Sequence, residues 1–221
     1  EQVATALPFM DIAARFAEAP GTVALMSGGD HDAARYHILA IAPWLVMKSY
    51  GRQVIFHAGD QVFRQTGDPL EMLRALLNSF RFSDPEPVGP VSAGLFGYLA
   101  YDLKDFIENL PKTTIDDLGL PQLCLYAPSA IFVHDRHTGG NHLHVPVRTA
   151  MHNSSVGGAE GPRQAFLARL GQDIHTPSFF SGGGRGFFGR LDRRSYMGAV
   201  DAVKDYIISG DIYQVNLSQR F

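Results

Sequence analysis

Thr22–Ser27, Tyr36–Ala42, Leu45–Tyr50, Gln53–Ala58 and Gln61–Gln65 are short runs rich in apolar and β-branched residues, punctuated by Gly28-Gly29-Asp30, Gly51 and Gly59-Asp60. Turns as tight as those at Gly51 and Gly59-Asp60 leave no room for the crossover that parallel strands require, so the spacing predicts an antiparallel meander. Further along, Gln122–Asp135 and His142–Val147 read as hairpin strands joined through Thr138-Gly139-Gly140-Asn141. Val91–Tyr101 is an apolar run carrying Gly94 and Gly97, which predicts a buried strand with a close backbone approach.

Helices flank these strands. Phe9–Glu18 places Phe9, Ile12, Ala13 and Phe16 at three- and four-residue spacing before Pro20-Gly21. Asp68-Pro69 supplies an N-cap and a first-turn proline to a helix whose buried stripe is Leu70, Leu73, Leu76, Leu77 and Phe80. Gly161-Pro162 leads a third helix to about Leu170, and Arg193–Ser209 carries Tyr196, Val200, Val203 and Ile207 on one face before Gly210. Ser83–Pro90, with three prolines, is an extended connector, and Thr149–Gly161 is a loose polar loop. Asp211–Phe221 alternates and predicts a final strand with Tyr213, Val215, Leu217 and Phe221 on one side and Gln214, Asn216 and Ser218 on the other. The expected fold class is α+β, antiparallel sheets with helices packed outside.

Composition narrows the function. With 45% hydrophobic residues among 221, the chain has material for a core, and 19 Lys+Arg against 22 Asp+Glu leave no basic footprint for nucleic acid. The longest apolar candidate, Ile38–Met47, is far too short to span a bilayer. Glu1–Ala6 has neither an initiating Met nor a signal-peptide pattern and reads as a processed or trimmed end. A single cysteine, Cys124, can form no internal disulfide, which fits a reducing compartment, and the cytoplasm is the expected location.

Three features invite chemistry and have plainer explanations. Ser181–Gly186 is glycine-dense but has no GK[ST] ending and follows no clear strand, so a mobile linker is the better reading. His134, His137, His142 and His144 share one hairpin; alternation places them on a solvated face more simply than around a metal. Cys124, inside the apolar stretch Leu123–Tyr126, suits a small buried hydrophobe rather than a nucleophile. The polar row of the last segment is less easily dismissed, because a buried amide needs a hydrogen-bond partner or a ligand. Satisfied polar groups at a sheet edge would explain it equally well.

Arg193–Gly210 (RRSYMGAVDAVKDYIISG) and the following GDIYQVNLSQRF resemble the opening of the chorismate-binding domain in the component I subunits of aminodeoxychorismate synthase and anthranilate synthase. Ala93–Asp102 (AGLFGYLAYD) is similar to that family's glycine-and-aromatic strand, and Val23–Pro43 to its amino-terminal strand, turn and strand. The segment from Thr149 to Gly189 has no counterpart in the resemblance.

The resemblance implies an amino-terminal component I domain at 1–175, a linker at 176–192, and the start of a truncated chorismate-binding domain at 193–221. It implies amination of chorismate with ammonia from a glutamine amidotransferase subunit, and Mg2+ whose ligands are expected beyond Phe221; no residue of this chain is assigned to metal. The 221 residues alone are therefore expected to be inactive. Relatives that add water carry a lysine base at the position matching Gln214, and a neutral amide cannot take that proton, so Gln214 points to amination and is assigned a positioning role in catalysis. Leu25-Met26-Ser27-Gly28-Gly29 lacks the glutamate of the Leu-Leu-Glu-Ser pattern usual in feedback-regulated anthranilate synthases. That favours aminodeoxychorismate synthase, in 4-aminobenzoate and folate synthesis, over anthranilate synthase. A ligand-sensing or docking module without activity is the alternative from a different class.

By the same resemblance, Ser27, Tyr36, Tyr213 and Asn216 match a tryptophan pocket, with ordinary core packing as the alternative. Tyr213 and Asn216 have opposite parity on a regular strand, so lining one pocket would take a bulge or a backbone contact.

Overall fold

The computed structural model describes residues 1–81, 89–111, 115–146, 149–150, 159–172, 186 and 188–219. The chain divides into two compact units, Glu1–His175 and Thr176–Phe221.

The first unit is built on two long strands, β2 (Tyr36–Tyr50) and β7 (Leu123–Asp135), paired antiparallel along nearly their whole length. The outer edge of β2 is shared by β1 (Val23–Leu25) and β3 (Gln53–Ala58), with β4 (Gln61–Thr66) beyond β3. The outer edge of β7 is shared by β6 (Phe96–Leu99) and β8 (Asn141–His144). All pairings are antiparallel, giving a seven-stranded sheet with flanking helices, which is the expected class. A separate short ribbon pairs β5 (Phe80–Arg81) with β9 (Thr149–Ala150), the latter inside the segment expected to be loop.

The expected break between Tyr36–Ala42 and Leu45–Tyr50 is a bulge within one strand. Pro43 opposes Pro128, whereas the next pair is Leu45 with Ala127, so β2 carries one extra residue. Ala42 adopts φ 50°, the left-handed backbone that lets β2 absorb it. Both prolines, which have no N–H to give a ladder, lie where each long strand is between outer partners. The extra residue also inverts the parity of β2. Leu39 and Ile41 join Ala130 and Phe132 in one core cluster, while Met47 joins Leu123 and Leu125 in another. Leu125 and Phe132 are seven residues apart on β7, so these clusters occupy opposite faces of the sheet.

The first face is covered by α1 (Phe9–Ala14) through Phe9 and Ile12, by Phe16, and by α3 (Glu160–Leu170) through Phe166, whose ring stacks 5.3 Å from that of Phe132. The helix expected over Phe9–Glu18 ends at Ala14 and continues as turns, which still bury Phe16. The opposite face is covered by α2 (Pro69–Ser79) through Leu70, Leu73 and Leu76, and by a short 3-10 helix, Tyr101–Phe106, through Leu103. Asp68 caps α2 as expected, its Oδ1 accepting from the N–H of Leu70 (2.8 Å) and of Glu71 (3.3 Å).

The run Val91–Tyr101 forms a strand only over Phe96–Leu99, and Tyr98 and Leu99 are exposed rather than buried. The close approach is present: a Cβ on Gly97 would lie 2.0 Å from the carbonyl oxygen of Cys124 on β7. Cys124 itself is buried, and its thiol donates to Tyr126 Oη (3.3 Å).

The hairpin histidines do not form the expected solvated row. His134 pairs with His37 across β2 and β7, while His142 and His144 oppose Val133 and Ile131, on the other face of β7. His134, His142 and His144 are half-buried. Among the described residues no group of three or more His, Cys, Asp or Glu could hold a metal ion, and no helix is long and apolar enough to cross a membrane.

The second unit contains α4 (Arg193–Ser209), with the bounds its sequence predicts. Asp192 caps its start by accepting from Ser195 N–H (2.7 Å), and Gly210 ends it at φ 81°. The final strand is absent over 211–219: these residues have no ladder partner among the described residues, and alternation without a partner does not make a strand. The connector over residues 83–88 and the glycine cluster from Ser181 to Arg185 lie outside the described residues.

Candidate functional site

Ser27 follows β1 and opens the loop that leads to β2. Its hydroxyl donates to the carbonyl oxygen of Tyr36 (2.7 Å), and its N–H donates to Nδ1 of His37 (3.2 Å). The structure therefore brings Ser27 and Tyr36 together, through the tyrosine backbone. The Tyr36 ring packs with the Ala40, Ile131 and Val133 cluster, and the Arg35 guanidinium lies 4.8 Å over it.

The rest of the loop is fastened by the end of β7 and the turn after it. Arg136 donates through Nη1 to the carbonyl oxygen of Ala34 and, at 3.4 Å, to that of Gly29. Arg35 grips Asp135 with two nitrogens, at 2.7 and 3.1 Å, and Asp135 also accepts from His137 N–H (3.0 Å). The Arg35 guanidinium holds the Asp135 carboxyl far below the usual carboxylate range. Inside the loop, Ala34 N–H donates to His31 O (2.8 Å). Arginines are suited to this work because a planar fork can bind a carboxylate through two parallel bonds.

His37 sits between these groups. Its ring stacks against Phe9 of α1 (4.8 Å) and His134 of β7 (5.9 Å). Burial, then the charge of Arg136 and then His134, lower its proton affinity below that of a free imidazole. An amide N–H can only donate, so the Ser27 contact requires a lone pair on Nδ1 and a neutral ring.

Tyr213, Gln214 and Asn216 lie in the second unit, immediately after the Gly210 cap. Tyr213 is 92% exposed, and Gln214, Asn216 and Ser218 are exposed as well. Val215, expected on a buried side, is also exposed. Gln219 does engage its surroundings, its Oε1 accepting from Leu191 N–H (3.3 Å). With no strand there, the parity conflict between Tyr213 and Asn216 does not arise. Sequence reasoning missed His37, Asp135 and Arg136; the first was visible only as a polar residue in an apolar run, and the other two are about a hundred positions from the loop they hold.

Residues 29–221 match the chorismate binding enzyme family. The chain is 32% identical over 203 residues to anthranilate synthase component 1 of Cereibacter sphaeroides, covering 87% of this chain and 41% of that protein. It is 29% identical to aminodeoxychorismate synthase component 1 of Escherichia coli K12, covering 94% of this chain and 43% of the relative. The crystal structure of anthranilate synthase component I from Streptococcus pneumoniae TIGR4 superposes with a TM-score of 0.55 over 95% of this chain and 46% of that one, at 19% identity, which establishes likeness of fold. The chain thus spans about two fifths of the length of the curated relatives it matches. With the match running from the loop after Ser27 through α4 and the Gln214 segment, this chain belongs to the chorismate binding enzyme family.

Proposed function

We propose that this chain is the amino-terminal part of an aminodeoxychorismate synthase component I, which aminates chorismate with ammonia delivered by a glutamine amidotransferase subunit. The observation that carries the reading is Gln214, a neutral amide on the exposed segment that follows the α4 cap. Ammonia is already a nucleophile with a free lone pair, whereas water needs a base to remove a proton as it attacks. An amide can orient either molecule but can take a proton from neither. Relatives of both aminating types match the chain, and the absence of glutamate before Ser27 is what favours the aminodeoxychorismate product. Magnesium is proposed for the longer protein only; the described residues offer it no site, and no step is routed through it here.

Ser27 fits the recognition of an amino acid effector such as tryptophan. Its one hydroxyl proton is committed to Tyr36 O, so the lone pairs of Oγ remain to accept from a ligand ammonium. Tyr36 supports this arrangement through its carbonyl rather than as an aromatic wall.

The test is product identification with the longer protein that contains this chain, supplied with chorismate, an ammonium salt and Mg2+. Aminodeoxychorismate is expected, and anthranilate would overturn the assignment. In the same protein Gln214→Ala is expected to lower turnover by roughly 5- to 150-fold, corresponding to roughly 1–3 kcal/mol for a lost polar contact to substrate. Gln214→Lys is expected to add some water-addition product. Unchanged kinetics in a folded Gln214→Ala variant would remove the positioning role.

A further inference from the structure

We infer that His37 is a proton-sensitive latch on the Met26–Arg35 loop: its neutral imidazole holds Ser27 by accepting the backbone N–H, and protonation releases that end of the loop. The inference stands on the geometry of the first unit and is independent of the chorismate product and of any effector.

The bond in question is unusual in kind. Most of the loop is fastened by groups that keep their charge across the physiological range. Arg136 holds the carbonyl oxygens of Ala34 and Gly29, and the Arg35–Asp135 pair holds the start of β2. These contacts secure the far end of the loop and, more weakly, Gly29. The near end, where β1 gives way to Ser27, depends on the hydroxyl bond to Tyr36 O and on the amide bond to His37 Nδ1. The amide bond alone has an acceptor that titrates near neutrality.

The surroundings make the latch sharp. From α1 the ring meets Phe9, which is uncharged; from β7 it meets His134, and from the turn after β7 it feels Arg136. Asp135, the acid between those two, pairs with Tyr36 in register and so projects from the opposite face, where it is gripped by Arg35. His134 has its own Nδ1 2.8 Å from Asn141 Oδ1, which fixes its ring. A proton arriving at His37 Nδ1 would thus place an N–H against the Ser27 N–H and a positive charge beside Arg136. Both oppose the closed loop, while the hydroxyl bond to Tyr36 O is left unaided.

The experiment is amide exchange by NMR on the 221-residue chain as a function of pH, with His37 protonation followed in parallel through its ring resonances. After correction for the intrinsic rate, protection of the Ser27 amide is expected to fall by about tenfold per pH unit below the free-imidazole value of roughly 6.5 until His37 is fully protonated. The Val54 amide, buried in β3 and away from the loop, should stay level. His37→Phe keeps a flat ring against Phe9 and is expected to leave Ser27 unprotected at every pH. His37→Asn offers a non-titrating acceptor, and any protection it gives should be flat with pH. Ser27 protection that stays level while His37 titrates overturns the latch, as does a His37 that remains neutral down to acid unfolding. Full protection of Ser27 in His37→Phe overturns it too. Should that variant fail to fold, the titration of the unmodified chain decides alone.

Discussion

Asp135 and His37 sit on successive register pairs of β2 and β7, yet they respond to acid in separate windows. Asp135 is held as a carboxylate by Arg35, so its folded affinity for a proton lies below the unfolded value of about 4. Its contribution to stability is complete above that value and is lost as pH falls below it, because the unfolded chain then binds the proton first. His37 is also depressed, by burial and by Arg136, so its contribution is complete above roughly 6.5 and begins to be lost just below. Asp135→Asn is therefore expected to lower the urea midpoint at neutral pH and to remove part of the steep loss below about pH 4, leaving the shallower loss near neutrality in place. Identical pH profiles for Asp135→Asn and the unmodified chain would show that the Arg35 pair contributes nothing net, as half-exposed ion pairs sometimes do.

Among the elements, those legible in the sequence are the ones whose signals are local. The Asp68-Pro69 start of α2 and the Gly210 end of α4 are fixed by hydrogen bonds within a few residues, so both could be read directly. Tight glycine turns likewise gave β2, β3 and β4 their pairing. What escaped are features decided by partners far along the chain. The bulge at Pro43 joins two apparent strands into one only because β7 runs beside both, and the alternating segment after Gly210 gains no ladder because no described strand lies against it. The site divides the same way: Ser27 was singled out through the family resemblance of the segment it stands in, whereas the residues that hold it come from β2 and from the end of β7. Gly97 shows a local signal with a distant cause. Its φ of 150° and the 2.0 Å that would separate a Cβ from Cys124 O leave no space for any side chain. Gly97→Ala must push β6 off β7, and a loss of about 2–3 kcal/mol in unfolding free energy is expected. A loss within experimental error would mean that β6 moves freely at its place on the sheet edge.

At the scale of the whole molecule, the two units differ in how they satisfy their apolar surface. The first encloses clusters on both faces of its sheet, with Phe132, Phe166, Leu123 and Leu39 essentially inaccessible. The second has no buried residue on α4, and Met197, Tyr206, Ile207 and Ile208 remain exposed along it. A helix of amphipathic pattern with an unburied apolar face derives little stability from packing, and such a face promotes association in water. Removing residues 176–221 is accordingly expected to leave the urea midpoint of the first unit unchanged within about 0.5 kcal/mol, a change typical of sites away from a core. The shortened chain should also elute as a monomer at concentrations where the 221-residue chain self-associates. Denaturation followed by circular dichroism, together with light scattering on both chains, measures the two quantities. A lower midpoint in the shortened chain, with no gain in monomer, would show that the second unit is integrated with the first core, and the exposed face of α4 would then need another explanation.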